Sequence, residues 1–182
     1  MKLIINSLAK IEYLISILQG KGFGAARISL KIEAKNAVSF FDSSKEPTIF
    51  DVGGNVGEYS QSILNLKKDS HITIFEPSKK NCKILNKKFK NYKNIKIENL
   101  GVSNKNGFAK LYHNTPGSPL ASLYKRSFLG SKKVRMNGFE KIRITKIKNY
   151  MDKNNIKKID LIKLDVEGYE MELLKCVEND IN

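Results

Sequence analysis

Thr48-Ile49-Phe50-Asp51-Val52-Gly53-Gly54-Asn55-Val56-Gly57-Glu58-Tyr59 is the stretch whose reading decides the fold. Ile49 and Phe50 form a short apolar run that reads as a buried strand. Asp51 stands where that strand ends. Three glycines then fall within positions 53–57, and a helix-like segment follows from Glu58. Strand, acid, glycine turn and helix open a doubly wound nucleotide-binding sheet. Gly53 and Gly54 permit positive φ and a close approach of backbone to ligand, and Gly57 lets the next helix pack tightly on the strand.

Spacing selects among ligands. Counting from Gly53, the first, third and sixth places hold Gly53, Asn55 and Glu58, which fails the three-glycine dinucleotide fingerprint. No Gly-Lys-Ser or Gly-Lys-Thr ending follows, so the turn is not a P-loop. The acid-x-Gly-x-x-x-Gly pattern is similar to the turn of methyltransferases that use S-adenosylmethionine. The acid has a chemical reason. That ligand carries no phosphate for a helix N-terminus. It carries a sulfonium, an ammonium and a ribose diol, which suit a carboxylate at a strand tip. The plainer reading is a turn that only joins strand to helix.

Two later segments add to the pattern: Phe75-Glu76-Pro77, and Lys163-Leu164-Asp165-Val166-Glu167-Gly168-Tyr169-Glu170. Together with Asp51–Gly57 they resemble the FkbM family of methyltransferases, over about Thr48 to about Leu174. Asn55, where many methyltransferases have glycine, is typical of that family, as is the Asp-Val-Glu-Gly block. The resemblance implies an α/β fold, a doubly wound Rossmann-like class I methyltransferase sheet with helices on both faces. It implies S-adenosylmethionine held around Asp51, Gly53, Gly54, Asn55, Val56, Gly57, Tyr59, Glu76, Pro77, Leu100, Gly101 and Asp165. It also implies O-methylation of a hydroxyl on a sugar, a glycan or a polyketide-like small molecule. Ser122-Leu123 resembles a serine-containing loop near the family's acceptor site, although a plain connector is an equal reading.

The chain of 182 residues suffices for one domain with a core. A net charge of +15 raises the question of nucleic acid or an anionic surface. The lysines, however, are scattered through helices and loops, which reads as compositional bias and argues against a nucleic-acid partner. Cys82 and Cys176 show neither metal nor disulfide spacing. They read as small buried hydrophobes in a reducing, cytoplasmic compartment.

Along the chain, Ile4, Leu8, Ile11, Ile15 and Leu18 mark an amphipathic helix over residues 3–18. Lys10 and Glu12 interrupt it, which argues against a signal peptide or transmembrane segment; a membrane-surface helix stays open. Residues 25–46 leave room for a second helix, giving a helical extension over 1–46 and a methyltransferase domain over 47–182. Tyr59–Leu66 reads as a helix packing through Ile63, Leu64 and Leu66. Ile72–Phe75 reads as the second strand with Glu76 at its tip, 25 positions beyond Asp51. That is close to the ~20 expected of a ribose-binding acid. Pro77 and Ser78 open a helix with Cys82, Leu85 and Phe89 inward. Ile95 and Ile97 mark a third strand, with the adenine edge near Leu100 and Gly101. Asn106-Gly107 signals a hairpin turn, and Phe108–His113 and Ile142–Ile144 read as strands. Thr145–Lys153 reads as a short helix, and Ile159–Leu164 as a buried strand ending at Asp165. The last helix packs through Met171, Leu174 and Val177.

Asp51 and Asp165 then flank one crevice at the switch point of the sheet. Methyl transfer is an in-line displacement, and alignment alone supplies on the order of 7–11 kcal/mol. A base for an alcohol acceptor adds ~10²–10⁴-fold. Glu167 is the candidate base and Asp165 the orienting group or cofactor ligand, with His113 the runner-up base beside the acceptor loop. Asp165 and Glu167 could hold a divalent ion, but two acids without a third ligand make a weak metal site, and none is assigned.

The family continues past the Asp-Val-Glu-Gly helix, whereas this sequence stops at Asn182. The C-terminal strands are therefore expected to be absent. The strand ending at Asp165 becomes an edge, although Leu161, Ile162 and Leu164 read as buried on both faces. Apolar edges invite pairing, so a fragment, a homo-oligomer or a partner over that edge are the open readings. Two functional alternatives also stay open. One is an RNA or other nucleic-acid methyltransferase, against which stand the lack of an Asn/Asp-Pro-Pro-aromatic motif and of a catalytic-cysteine motif. The other is an inactive remnant.

Overall fold

The computed structural model describes residues 27–41, 46–125 and 135–181. The helix expected over 3–18 lies outside the described residues, as do the side chains of Cys176 and Val177. A helix does form between 25 and 46: α1, Arg27–Val38. Ala34 of α1 is fully buried in the same core cluster as Ile49.

Four strands form a wholly parallel sheet: β1 (Thr48–Val52), β2 (His71–Phe75), β3 (Ile95–Glu98) and β7 (Leu161–Leu164), in the order β3-β2-β1-β7. Parallel neighbours need crossovers. Helix α2 (Glu58–Leu66) joins β1 to β2, and α3 (Lys79–Lys88) joins β2 to β3. Side chains alternate between the two faces, as strand geometry requires. Ile49, Ile72 and Ile74 face one core with Tyr59, Ile63 and Leu64 of α2 and Leu85 of α3. Phe50, Val52 and Phe75 face the other core with Ile147, Tyr150 and Met151 of α4 (Ile147–Lys153) and Leu173 of α5 (Glu170–Ile181). Helices thus cover both faces of the doubly wound α/β sheet. Phe50, Phe75 and Tyr150 pack edge-to-face with centroids 4.8–5.7 Å apart, the arrangement ring quadrupoles favour.

A second, three-stranded sheet follows β3: β4 (Gly101–Val102), β5 (Gly107–His113) and β6 (Gly138–Thr145), in the order β4-β6-β5. The strands expected at 108–113 and 142–144 are present and pair antiparallel with each other. Leu111, Ile142 and Ile144 form their small core. Asn106-Gly107 is not a hairpin turn between paired strands, because β6 lies between β4 and β5. The Asn106 side chain instead accepts hydrogen bonds from the Lys146 N–H (3.0 Å) and the Thr145 hydroxyl (3.2 Å).

Four packing expectations need correction. Gly57 seats α2 against α3 rather than on the strand: a Cβ there would stand 2.5 Å from the Phe89 ring and 2.8 Å from Leu85. Leu66 is half exposed at the end of α2, which packs through Tyr59, Ser60, Ile63 and Leu64. Among the described residues of α5, Leu173 is buried, as is Tyr169 just before the helix, while Met171 is 63% and Leu174 49% exposed. Helical spacing gives the period of an apolar stripe but not its phase. Here Tyr169 and Leu173 are the residues that join the core cluster of Phe50, Phe75 and Tyr150. On β7, Leu161, Ile162 and Leu164 are half-buried rather than covered on both faces, since β7 pairs with β1 alone among the described residues.

The corrected phase of α5 is testable by urea denaturation. Leu173→Ala should cost about 2–5 kcal/mol and Leu174→Ala no more than about 0.5 kcal/mol. The opposite ranking would restore the phase expected from sequence.

Candidate functional site

The carboxyl ends of β1, β2 and β7 converge on one cleft. Its lining includes Gly53, Asn55, Glu76 and Pro77 on one side and Asp165 and Glu167 on another. Gly101, Val102, Leu111 and Ile142 of the second sheet close it, with Ser118 to Leu123 above.

The glycine turn is stitched to both neighbouring strands. The N–H groups of Gly53 and Gly54 donate to the Phe75 carbonyl at 2.9 and 3.2 Å, and the Asp165 N–H donates to the Val52 carbonyl at 3.0 Å. Gly53 has φ +80°, and a Cβ on it would lie 1.9 Å from the Asp165 carbonyl oxygen. Both facts require glycine. Asn55 adopts φ +49°, a left-handed conformation that asparagine tolerates better than most residues. That conformation turns its N–H onto Glu76 Oε2 at 2.8 Å, while its Oδ1 accepts from Asn81 Nδ2 at 3.0 Å.

Glu76 is buried at the tip of β2, and its Oε1 accepts the Ser78 N–H at 2.8 Å. Burial pushes its carboxyl up to about 7, outweighing the backbone N–H groups of Ser78 and Asn55 that favour the charged form. Beneath it, the buried Cys82 thiol donates to the Glu76 carbonyl at 3.0 Å. Burial first, and Glu76 second, push that thiol up to about 11, so it is no thiolate nucleophile at neutral pH.

Asp51 does not line the cleft. It is wholly buried below the glycine turn, where Oδ2 accepts the Ser60 hydroxyl at 2.6 Å and Oδ1 lies 3.6 Å from the Lys163 ammonium. Asp165 does line the cleft, half exposed, with Oδ2 accepting from Lys163 Nζ at 3.2 Å. Glu167 sits at φ +55°, a strained conformation for a side chain that persists only where neighbours enforce it. Two contacts do so. The Ser122 hydroxyl donates to the Glu167 carbonyl at 2.8 Å. The Glu170 carboxylate accepts the N–H groups of Val166 (3.1 Å) and Gly168 (2.9 Å). Burial opposes the charge on Glu170, but these backbone N–H groups prevail and lower its pKa. Ser122 itself is buried and bridges Tyr112 in both directions, at 2.8 and 3.0 Å.

Several residues expected at the site stand elsewhere. Gly54, Val56, Gly57 and Leu100 are not part of the lining; Gly54 packs on Ile74, where a Cβ would come within 2.2 Å. Tyr59 is in the core, its hydroxyl pKa raised by burial, by Asp51 and by Glu33. His113 is buried with its ring against Gly138, outside the lining, and its Nδ1 makes no hydrogen bond. Sequence reasoning missed Asn81, Ser118, Lys163 and Glu170. Only Glu170 carried a readable signal, a helix-start acid. Among the described residues no cluster of three His, Cys, Asp or Glu could hold a metal ion, and no helix is long and apolar enough to cross a membrane.

The burial of Glu76 has a pH signature. Its folded pKa of about 7 exceeds its ordinary 4.5, so the folded chain holds a proton that the unfolded chain releases. The stability this supplies is full below 4.5 and is lost as pH rises through 7. Compared with Glu76→Gln, wild type should lose on the order of 1–3 kcal/mol across that window. Urea melts at a series of pH values read this directly, and a pH-independent difference would place Glu76 in solvent.

Among curated proteins, none matches the chain significantly. The solved structure of coclaurine N-methyltransferase bound to N-methylheliamine and SAH is similar over 41% of this chain and 27% of that one. Identity is 10% and the TM-score 0.34, a likeness too slight to bear on the site. The sequence itself is decisive. Residues 51–182 match the methyltransferase FkbM domain, and the chain belongs to that family.

Proposed function

We propose that the chain is an S-adenosylmethionine-dependent methyltransferase acting on a hydroxyl of a sugar, glycan or polyketide-like small molecule. The carrying observation is the convergence of Asn55, Glu76, Asp165 and Glu167 on one cleft at the strand ends of a methyltransferase-family domain. The residues fit the cofactor. A carboxylate has about four lone-pair sites, so Glu76 can accept two ribose hydroxyls while keeping its two backbone N–H bonds. The apolar walls at Val102, Leu111 and Ile142 beside Gly101 suit a flat heteroaromatic ring. Acids rather than lysines line this part of the cleft, which favours a cationic ligand over a pyrophosphate.

When bound, the cofactor supplies an electrophilic methyl group on a sulfonium, with a good leaving group built in. The chain's own task is alignment and proton removal. Gly53, Asn55, Glu76, Pro77 and Gly101 hold the ligand, and Asp51 contributes charge from beneath. Asp165 orients, and Glu167, held by Ser122, takes the proton of the acceptor hydroxyl. Ser118 to Leu123 form the acceptor wall. His113, turned onto Gly138, has no path to that role in this placement.

Calorimetric titration with S-adenosylmethionine tests the cofactor assignment. Wild type should bind saturably and Glu76→Ala at least tenfold more weakly. Because the ionised form of Glu76 accepts hydroxyls, wild-type affinity should rise as pH rises through about 7. A folded wild type that binds nothing ends the enzyme reading. With an acceptor found by a glycan and polyol screen, Glu167→Gln should lower kcat ~10²–10⁴-fold at unchanged cofactor affinity. An undiminished kcat would move the base elsewhere.

A further inference from the structure

Lys163 is a largely enclosed cation, its side chain 15% exposed, that the proposed chemistry leaves without a task. It stands directly opposite Asp51 in the β1–β7 register. Both side chains lie on the sheet face that carries α2. Its ammonium is 3.6 Å from Asp51 Oδ1, 3.2 Å from Asp165 Oδ2 and 5.7 Å from the centre of the Tyr59 ring. Asp51 Oδ1 has no hydrogen-bond partner, so the ion pair with Lys163 is what compensates that buried oxygen. Burial works against the ammonium, but Asp51 and Asp165 outweigh it and hold the Lys163 pKa above its ordinary value. Tyr59 stays neutral, since burial and the same acid oppose its ionisation. Two carboxylates and one ammonium leave one net negative charge under the glycine turn.

The geometry has a direction. Asp51 is wholly enclosed, whereas Asp165 lines the cleft. Lys163 therefore reaches from the hidden acid to the working one. We propose that Lys163 is a positioning residue that ties Asp51 to Asp165, aiming the Asp165 carboxylate at the cationic end of the ligand and limiting the Asp51–Lys163–Asp165 cluster to one net negative charge. This rests on the cofactor reading above. Without Lys163, Asp165 loses the one side-chain donor seen on it, and Asp51 becomes a buried charge without a counter-ion, a strongly destabilising arrangement. With arginine in its place, charge and donors remain.

S-adenosylmethionine and S-adenosylhomocysteine separate the charge effect from a packing effect, because the first carries a sulfonium and the second a neutral sulfur. Both are titrated calorimetrically into wild type, Lys163→Arg and Lys163→Met, with a thermal melt of each variant. Lys163→Met should weaken S-adenosylhomocysteine and raise the preference for the sulfonium ligand by about tenfold, the effect of one unit charge removed nearby. Lys163→Arg should keep the wild-type preference and bind both ligands within about threefold of wild type, a bound set by comparison with that unit-charge effect. Where Lys163→Met does not fold, the double variant Asp51→Asn/Lys163→Met carries the test. It restores the net charge, so the preference should be that of wild type while both ligands bind more weakly.

Unchanged affinities in Lys163→Met or in the double variant, with wild type binding, overturn this inference alone. Equal weakening of both ligands in Lys163→Met and Lys163→Arg also overturns it, because packing would then explain everything. A folded wild type that binds neither ligand overturns the cofactor reading and this inference with it.

Discussion

The close approach of two strand ends governs the molecule. At the tip of β1 the backbone of Gly53 passes so near the Asp165 carbonyl that no Cβ fits between them. That contact brings the end of β7 against the glycine turn, while the N–H groups of Gly53 and Gly54 tie the turn to β2. Three strand ends are thereby fixed relative to one another by backbone alone. Side chains at those ends, Glu76 and Asp165 among them, inherit positions that loops could not hold so firmly.

Charge is then distributed by depth. The most deeply buried acid, Asp51, is given a hydroxyl and an ammonium. Glu76 is given two backbone N–H groups, yet its desolvation still prevails. Asp165 is left half in solvent. A site built in this way keeps a cation-seeking floor while limiting the desolvation cost of several carboxylates in a small volume.

Much of this was legible in the sequence, for physical reasons. The glycine spacing and the acids after apolar runs announce the parallel sheet, because strand ends and turn conformations are local properties. The hydrophobic periodicity likewise announced α2, α3 and two strands of the second sheet, β5 and β6, but not the two-residue β4. What stayed hidden was relational. The phase of α5 depends on which residues meet the core cluster around Phe50 and Tyr150. The partner of Gly57 is a helix two elements away. Asn81 enters the site only because α3 brings it beside Asn55. Lys163 looked like one more lysine in a lysine-rich chain, and only the register of β7 against β1 sets it between two acids. His113 looked well placed because it ends a strand near the acceptor loop. Its ring instead packs on Gly138, the residue opposite it on β6.

The hydrogen bond from Ser122 to the Glu167 carbonyl joins two stretches 45 residues apart. One is the loop that would recognise an acceptor, and the other carries the group that would deprotonate it. In the reaction proposed above, selectivity and proton abstraction would therefore share a mechanical link. Under that proposal, a change of loop sequence that admits a new acceptor would also perturb the backbone under the base, and a retargeted variant would need compensation at both ends of that bond.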